Sequence, residues 1–149
     1  GYSQPTSITN SDYENENYDA WRIVTAEQII ESMGEALAPA DLAICQTTAG
    51  EELARGIRDG MATGNYGVID DLIADNSEWG IQLSDFVQPV AVFHGDEDRL
   101  NTPAHAHQFV DKLPHATLFM YAGEGHISLI NTKSDEIVAE GLKYLNSSK

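Results

Sequence analysis

Apolar residues recur at helical spacing up to Pro89 and collect into short unbroken runs beyond it. Thr25-Ala26-Glu27-Gln28 has the form of a capping box, in which the threonine hydroxyl accepts from a first-turn amide and the glutamine reaches back. Ala26, Ile29, Ile30, Met33 and Leu37 continue in helical phase, and Pro39 is expected to stop the run. A second helix is predicted over Glu51 to Met61, with Leu53, Ile57 and Met61 on one stripe and Gly64 and Gly67 as breaks. Val68, Ile69, Leu72 and Ile73 indicate a third short helix that closes before Trp79-Gly80. Three short amphipathic helices ahead of any strand have the look of a lid rather than of a core.

From Pro89 the pattern changes. Val90 to Phe93 is continuously apolar, as expected of a parallel strand covered on both faces. Thr102-Pro103 opens a helix, with proline in the first turn where its missing N–H costs nothing, and Pro114 closes it after Leu113. Ala116 to Tyr121 reads as a second strand, and a final helix is expected after Ser134, with Ile137, Val138, Leu142 and Leu145 in phase. The order strand, helix, strand, helix predicts an α/β unit with parallel pairing through a right-handed crossover. Two strands are rarely stable alone, and a parallel pair is normally buried inside a larger sheet. The open edge of the 90–93 strand is therefore expected to be covered, by strands of a second chain or by a second copy. Residues 1–20, rich in Ser, Asn, Tyr and acids with Ile8 the only aliphatic before Ala20, cannot offset their ordering entropy and are expected to form a mobile arm or a strip draped over a partner. The chain thus divides into an arm (1–20), a helical region (21–88) and a strand–helix unit (89–149).

With 149 residues, 42% of them hydrophobic, the chain has enough apolar content for one ordinary domain. Eight Lys and Arg against 24 Asp and Glu give a net charge of −16. That balance excludes nucleic acid, whose binding needs cationic side chains to displace counterions, and it argues against an anionic membrane surface. Its plain consequence is solubility, with a high-salt environment or a cationic substrate as the alternatives. No apolar run approaches the ~18 residues that span a bilayer, and no basic-then-apolar signal stands at the start. A soluble, preferentially cytoplasmic protein is expected, although the opening Gly1-Tyr2-Ser3 leaves an upstream signal open. Cys45 is the single cysteine, so no internal disulfide forms. Ala43-Ile44-Cys45 reads as a buried apolar patch, in which a thiol is inert.

Two segments carry candidate chemistry. The 90–93 strand runs into the acidic turn Gly95-Asp96-Glu97-Asp98, and Gly123-Glu124-Gly125-His126 is a tight loop after the second strand. An acid and a histidine at the C-terminal ends of neighbouring strands are two-thirds of a nucleophilic triad. Plainer roles exist for both: an Asp98 carboxylate occupied by backbone N–H groups of its own turn, and a loop His126 bonded to a carbonyl. A metal set of His94, Asp96, Asp98 and His126 is a further alternative, whereas His105 and His107, two apart on a helix, point different ways. His115, next to Pro114, reads as a surface turn residue. Neither metal nor cofactor is expected. No Gly-x-Ser-x-Gly or other nucleophile elbow occurs, and Ser128 follows a loop, as a polar hydrogen-bonding residue would.

In these motifs, residues from about Trp79 to Lys143 resemble the C-terminal part of an α/β-hydrolase. That family carries its acid in a pattern like Gly-x-x-Asp followed by proline, here Gly95-Asp96-Glu97-Asp98 with Pro103 after it. Its histidine often stands in Gly-x-Gly-His, here Gly123-Glu124-Gly125-His126. The stretch through Gly60, Gly67, Asp71 and Trp79-Gly80 is similar to the cap that many such enzymes insert before the acid strand. The resemblance implies a partial α/β-hydrolase fold, a helical cap followed by a parallel strand–helix–strand–helix unit. It makes His126 the general base and acid, and Asp98 its orienter with Asp96 in reserve. The nucleophile elbow and oxyanion-hole amides precede the cap in the family and are not in this chain, so the chain alone is expected to be inactive. The intact enzyme would hydrolyse a small ester, amide or similar bond in an uncharged or partly apolar substrate; an aspartate nucleophile acting on epoxides or carbon–halogen bonds stays open. The expected partner is a complementary N-terminal half, or a second copy through the 90–93 edge. The rival reading is a non-catalytic binding or assembly module derived from the same scaffold.

Overall fold

A computed structural model describes residues 18–147 apart from Asn65 and Asn76. Most of the expected mobile arm, residues 1–17, lies outside the described residues; its last three residues belong to a helical turn, Tyr18–Trp21. Helix α1 (Ala26–Met33) starts at the expected capping box: Thr25 Oγ1 accepts from Gln28 N at 3.3 Å, and Gln28 Oε1 accepts from Thr25 N at 3.0 Å. It ends at Gly34 (φ 49°), well before Pro39. The proline does not stop a helix but starts one, α2 (Pro39–Cys45), because the first turn needs no N–H from it. Helix α3 (Thr48–Gly60) follows, with Thr47 Oγ1 accepting from Ala49 N at 3.2 Å. Gly67 does not break the chain as expected and lies inside α4 (Tyr66–Asp75).

The stripe on α3 does what its spacing implies. Leu53 and Ile57 pack against a buried cluster of Val24, Ile29 and Ala54, joined by Trp21 and Met33. Arg58 ties the cluster's rim, its guanidinium donating to Val24 O at 2.6 Å. The helical region therefore has a small core of its own.

Strands β1 (Val90–Gly95) and β2 (Ala116–Tyr121) pair in parallel, with Val90 opposite Ala116 and Gly95 opposite Tyr121. Helix α5 (Pro103–Val110) connects them, and Phe93 stacks on Phe119 across the pair with ring centroids 5.0 Å apart. Among the described residues the chain is thus a mixed α/β protein with a two-stranded parallel sheet. Val90 to Phe93 are half-buried rather than covered on both faces, and β2 is the only strand beside β1 among the described residues. The last helix, α6 (Ser128–Ser147), begins ahead of the expected start at Ser134. Its outer face exposes Ile130, Val138 and Leu142, so the apolar phase there does not mark a buried side. Among the described residues no helix is long and apolar enough to cross a membrane.

Candidate acid–histidine site

Parallel register sets the ends of β1 and β2 side by side, so the chain leaves both strands on the same edge of the sheet. The turn after β1 and the loop after β2 are then stitched together. Asp96 N donates to Tyr121 O at 3.0 Å, Glu97 N to Glu124 O at 3.0 Å, and Gly123 N to Asp96 Oδ1 at 2.7 Å. Asp96, the reserve acid, is thereby engaged with a loop amide and not with His126.

Asp98 is 5% exposed and divides its two oxygens. Oδ1 accepts from Leu100 N (2.9 Å) and Asn101 N (2.8 Å), which folds the turn on itself. Oδ2 lies 3.0 Å from His126 Nδ1. The turn-forming role and the orienting geometry therefore coexist, one oxygen to each. An ionised carboxylate only accepts, so Nδ1 carries the hydrogen and the neutral ring keeps its lone pair on Nε2. That is the tautomer a general base requires. The His126 side chain is 42% exposed, which leaves the ring open to an incoming group. Behind the pair, His94 Nε2 donates to Asn101 O at 2.7 Å and stands 3.8 Å from Asp98 Oδ2.

The other candidates fall into place around this pair. Among the described residues no three His, Cys, Asp or Glu side chains are arranged to hold a metal ion. His105 and His107 are exposed on α5, and His115 is exposed at the start of β2, its carbonyl accepting from Val90 N at 2.9 Å. Ser128 is fully buried, and its hydroxyl accepts from Gly125 N at 2.8 Å. Cys45 is 3% exposed; burial pushes its thiol above its ordinary value, and the nearby Asp41 carboxylate adds to the shift.

Sequence reasoning missed two residues at this site. Asp41, fully buried on α2, receives Ile127 N (2.8 Å) and Ser128 N (2.8 Å) on Oδ1, and His126 N (3.0 Å) and Ala38 N (3.3 Å) on Oδ2. Arg99, next to the acid, donates to Glu35 O (3.1 Å) and Leu37 O (3.3 Å). In the sequence Asp41 is an ordinary acid in the first turn after Pro39. Nothing local announces partners more than eighty residues away. The one usable signal is glycine. A Cβ on Gly125 would lie 2.2 Å from Asp41 Oδ2, and one on Gly95 would lie 2.1 Å from Glu124 O. Both glycines of the motifs are therefore contact points between segments.

Chemically, the arrangement can take up a proton at His126 Nε2 and hold the resulting cation against Asp98. It has no nucleophile elbow within the 149 residues. No protein-family model, curated protein or solved structure matches the chain.

Proposed function

We propose that this chain supplies the acid and histidine of an α/β-hydrolase-type triad, with the nucleophile contributed by a complementary N-terminal segment. The observation that carries the reading is the 3.0 Å contact between Asp98 Oδ2 and His126 Nδ1, with the rest of the ring half open to solvent. In the assembled site, Nε2 of His126 takes the proton of a nucleophilic hydroxyl and returns it to the leaving group, while Asp98 holds the ring and its cation. The complementary segment brings the oxyanion hole and covers the β1 edge that no strand pairs among the described residues. The substrate class is a small, uncharged or partly apolar ester or amide.

The test combines the chain with an N-terminal α/β-hydrolase segment that carries a Gly-x-Ser-x-Gly elbow, and follows ester hydrolysis and labelling by a serine-directed phosphonate. Alone, the chain is expected neither to hydrolyse nor to label; together, the two should do both. Asp98→Asn and His126→Ala are each expected to cut the restored rate by roughly three to four orders of magnitude. Restored activity that survives both substitutions overturns the reading. Labelling of the chain alone at Ser128 would reassign the nucleophile, and a stable but inactive complex would favour the assembly module.

A further inference from the structure

Asp41 is a carboxylate with no solvent exposure, surrounded by four backbone N–H groups. Burying such a charge is costly unless its oxygens are well hydrogen-bonded, so these contacts are a condition of its being there. Their distribution is informative. Oδ1 takes the amides of Ile127 and Ser128, which are otherwise orphaned at the start of α6. Oδ2 takes the amide of His126 itself at 3.0 Å, together with Ala38 N from the start of α2. The histidine's main chain is thus held from the helical region, and its side chain is held by Asp98 from the strand unit. The acid turn is tied to the same stretch: Arg99, adjacent to Asp98, bonds the carbonyls of Glu35 and Leu37. Residues 35–41 therefore hold the His126 main chain directly, through Asp41, and the acid turn through Arg99 beside Asp98. Gly125 leaves no room for a side chain between Asp41 and the loop, so the carboxylate meets the main chain directly.

We infer that Asp41 is the positioning residue of His126, presenting a buried carboxylate from the helical region that sets the histidine's backbone and so brings its imidazole to Asp98. Its meaning for catalysis rests on the triad reading above; the positioning itself is read without any reaction. Asp41→Asn is the informative variant. The amide keeps one acceptor oxygen, enough for Ile127 N and Ser128 N, but turns an NH2 donor toward His126 N and Ala38 N. The start of α6 stays held while the histidine amide is released.

The experiment is NMR on the full chain, following the His126 Nδ1 proton and the backbone amides of residues 125–128. In Asp41→Asn the Nδ1 proton is expected to exchange with water at least about tenfold faster, the loss of one hydrogen bond to a charged group, with the far-ultraviolet circular dichroism unchanged. A folded variant whose Nδ1 proton and ring titration match the original chain overturns the inference. Should the variant not fold, the unaltered chain decides: the amides of His126, Ile127 and Ser128 are expected to exchange together with those of α2. Exchange of these three as unprotected amides while α2 stays protected also overturns it. Asp98→Asn separates the two ideas, because it puts an NH2 donor where Oδ2 accepts from Nδ1, so that Nδ1 no longer keeps its proton, and it should leave the amides of residues 126–128 protected. Failure of the complementation assay with these signals intact would sink the triad reading and leave the positioning of His126 standing.

Discussion

Gly95→Ala puts a single methyl group where the two site segments touch. The added Cβ would stand 2.1 Å from Glu124 O and 2.9 Å from Gly125 O, both main-chain atoms that cannot swing aside. Reaching ordinary contact requires the histidine loop to retreat by more than about 1 Å. That retreat strains the Glu97 N to Glu124 O bond, now 3.0 Å, and draws His126 from Asp98. Overpacking of this kind costs about 1–3 kcal/mol and a lost hydrogen bond about 1 kcal/mol, so the variant should be less stable by about 2–4 kcal/mol. Urea unfolding followed by circular dichroism reads this as a midpoint lower by about 1–2 M, for a slope near 2 kcal/mol per molar. Gly56→Ala is the control. Its Cβ meets nothing within 4 Å on α3, and it should stabilise by about 0.5–1 kcal/mol through helix propensity alone. A Gly95→Ala midpoint indistinguishable from the original chain would refute the reasoning that these segments are in contact.

Three further outcomes are expected, two of them at Cys45. The Cys45 thiol is raised by burial and by the Asp41 charge, so the folded chain holds this proton more tightly than the unfolded one. Its stabilising contribution is complete below the unfolded thiol's pKa and is lost as pH rises through the folded value. Unfolding midpoints should therefore decline above roughly pH 9 in the original chain and less so in Cys45→Ala, and maleimide should react faster with the urea-unfolded protein than with the folded one; equal rates would contradict the burial argument. Static light scattering in moderate salt is expected to show concentration-dependent association through the β1 edge that no strand pairs among the described residues, local apolar cover outweighing a dispersed negative charge; a strict monomer over the whole range would refute it.

What could be read from the sequence follows the range of the interactions involved. The capping box at Thr25 and Gln28 closes within four residues, and α1 starts where that pattern places it. The unbroken runs at Val90 and Ala116 mark both strands, and their order gives the parallel pairing. Pro39 was ambiguous in principle, because proline can end one helix or occupy the first turn of the next, and Gly34 had already ended α1. The start of α6 at Ser128 was hidden because its cap is Asp41, brought from another part of the chain. Val138 and Leu142 show a different limit: periodicity identifies an apolar face but not what covers it. For the site, motif spacing put Asp98 and His126 at the same end of a parallel pair, where they stand 3.0 Å apart. Which oxygen would face the histidine, and that Asp96 would turn to Gly123 instead, depended on contacts across the fold.

The Asp41 cage also dictates a sequence of events during folding. The helical cluster around Val24 and Ala54 and the β1–α5–β2 unit each close from nearby chain. The contact from Asp41 to Ile127 joins points 86 residues apart, at roughly 1 kcal/mol more loop-closure entropy than the strand pairing. It repays that cost only after both units exist, because each supplies one half of the contact. Asp41 should accordingly show a φ-value near zero, native bonding that is absent from the rate-limiting transition state. Substitutions there would accelerate unfolding while leaving refolding almost untouched. The acid–histidine geometry is then a late product of folding, and a nascent chain acquires it only once α6 has been synthesised.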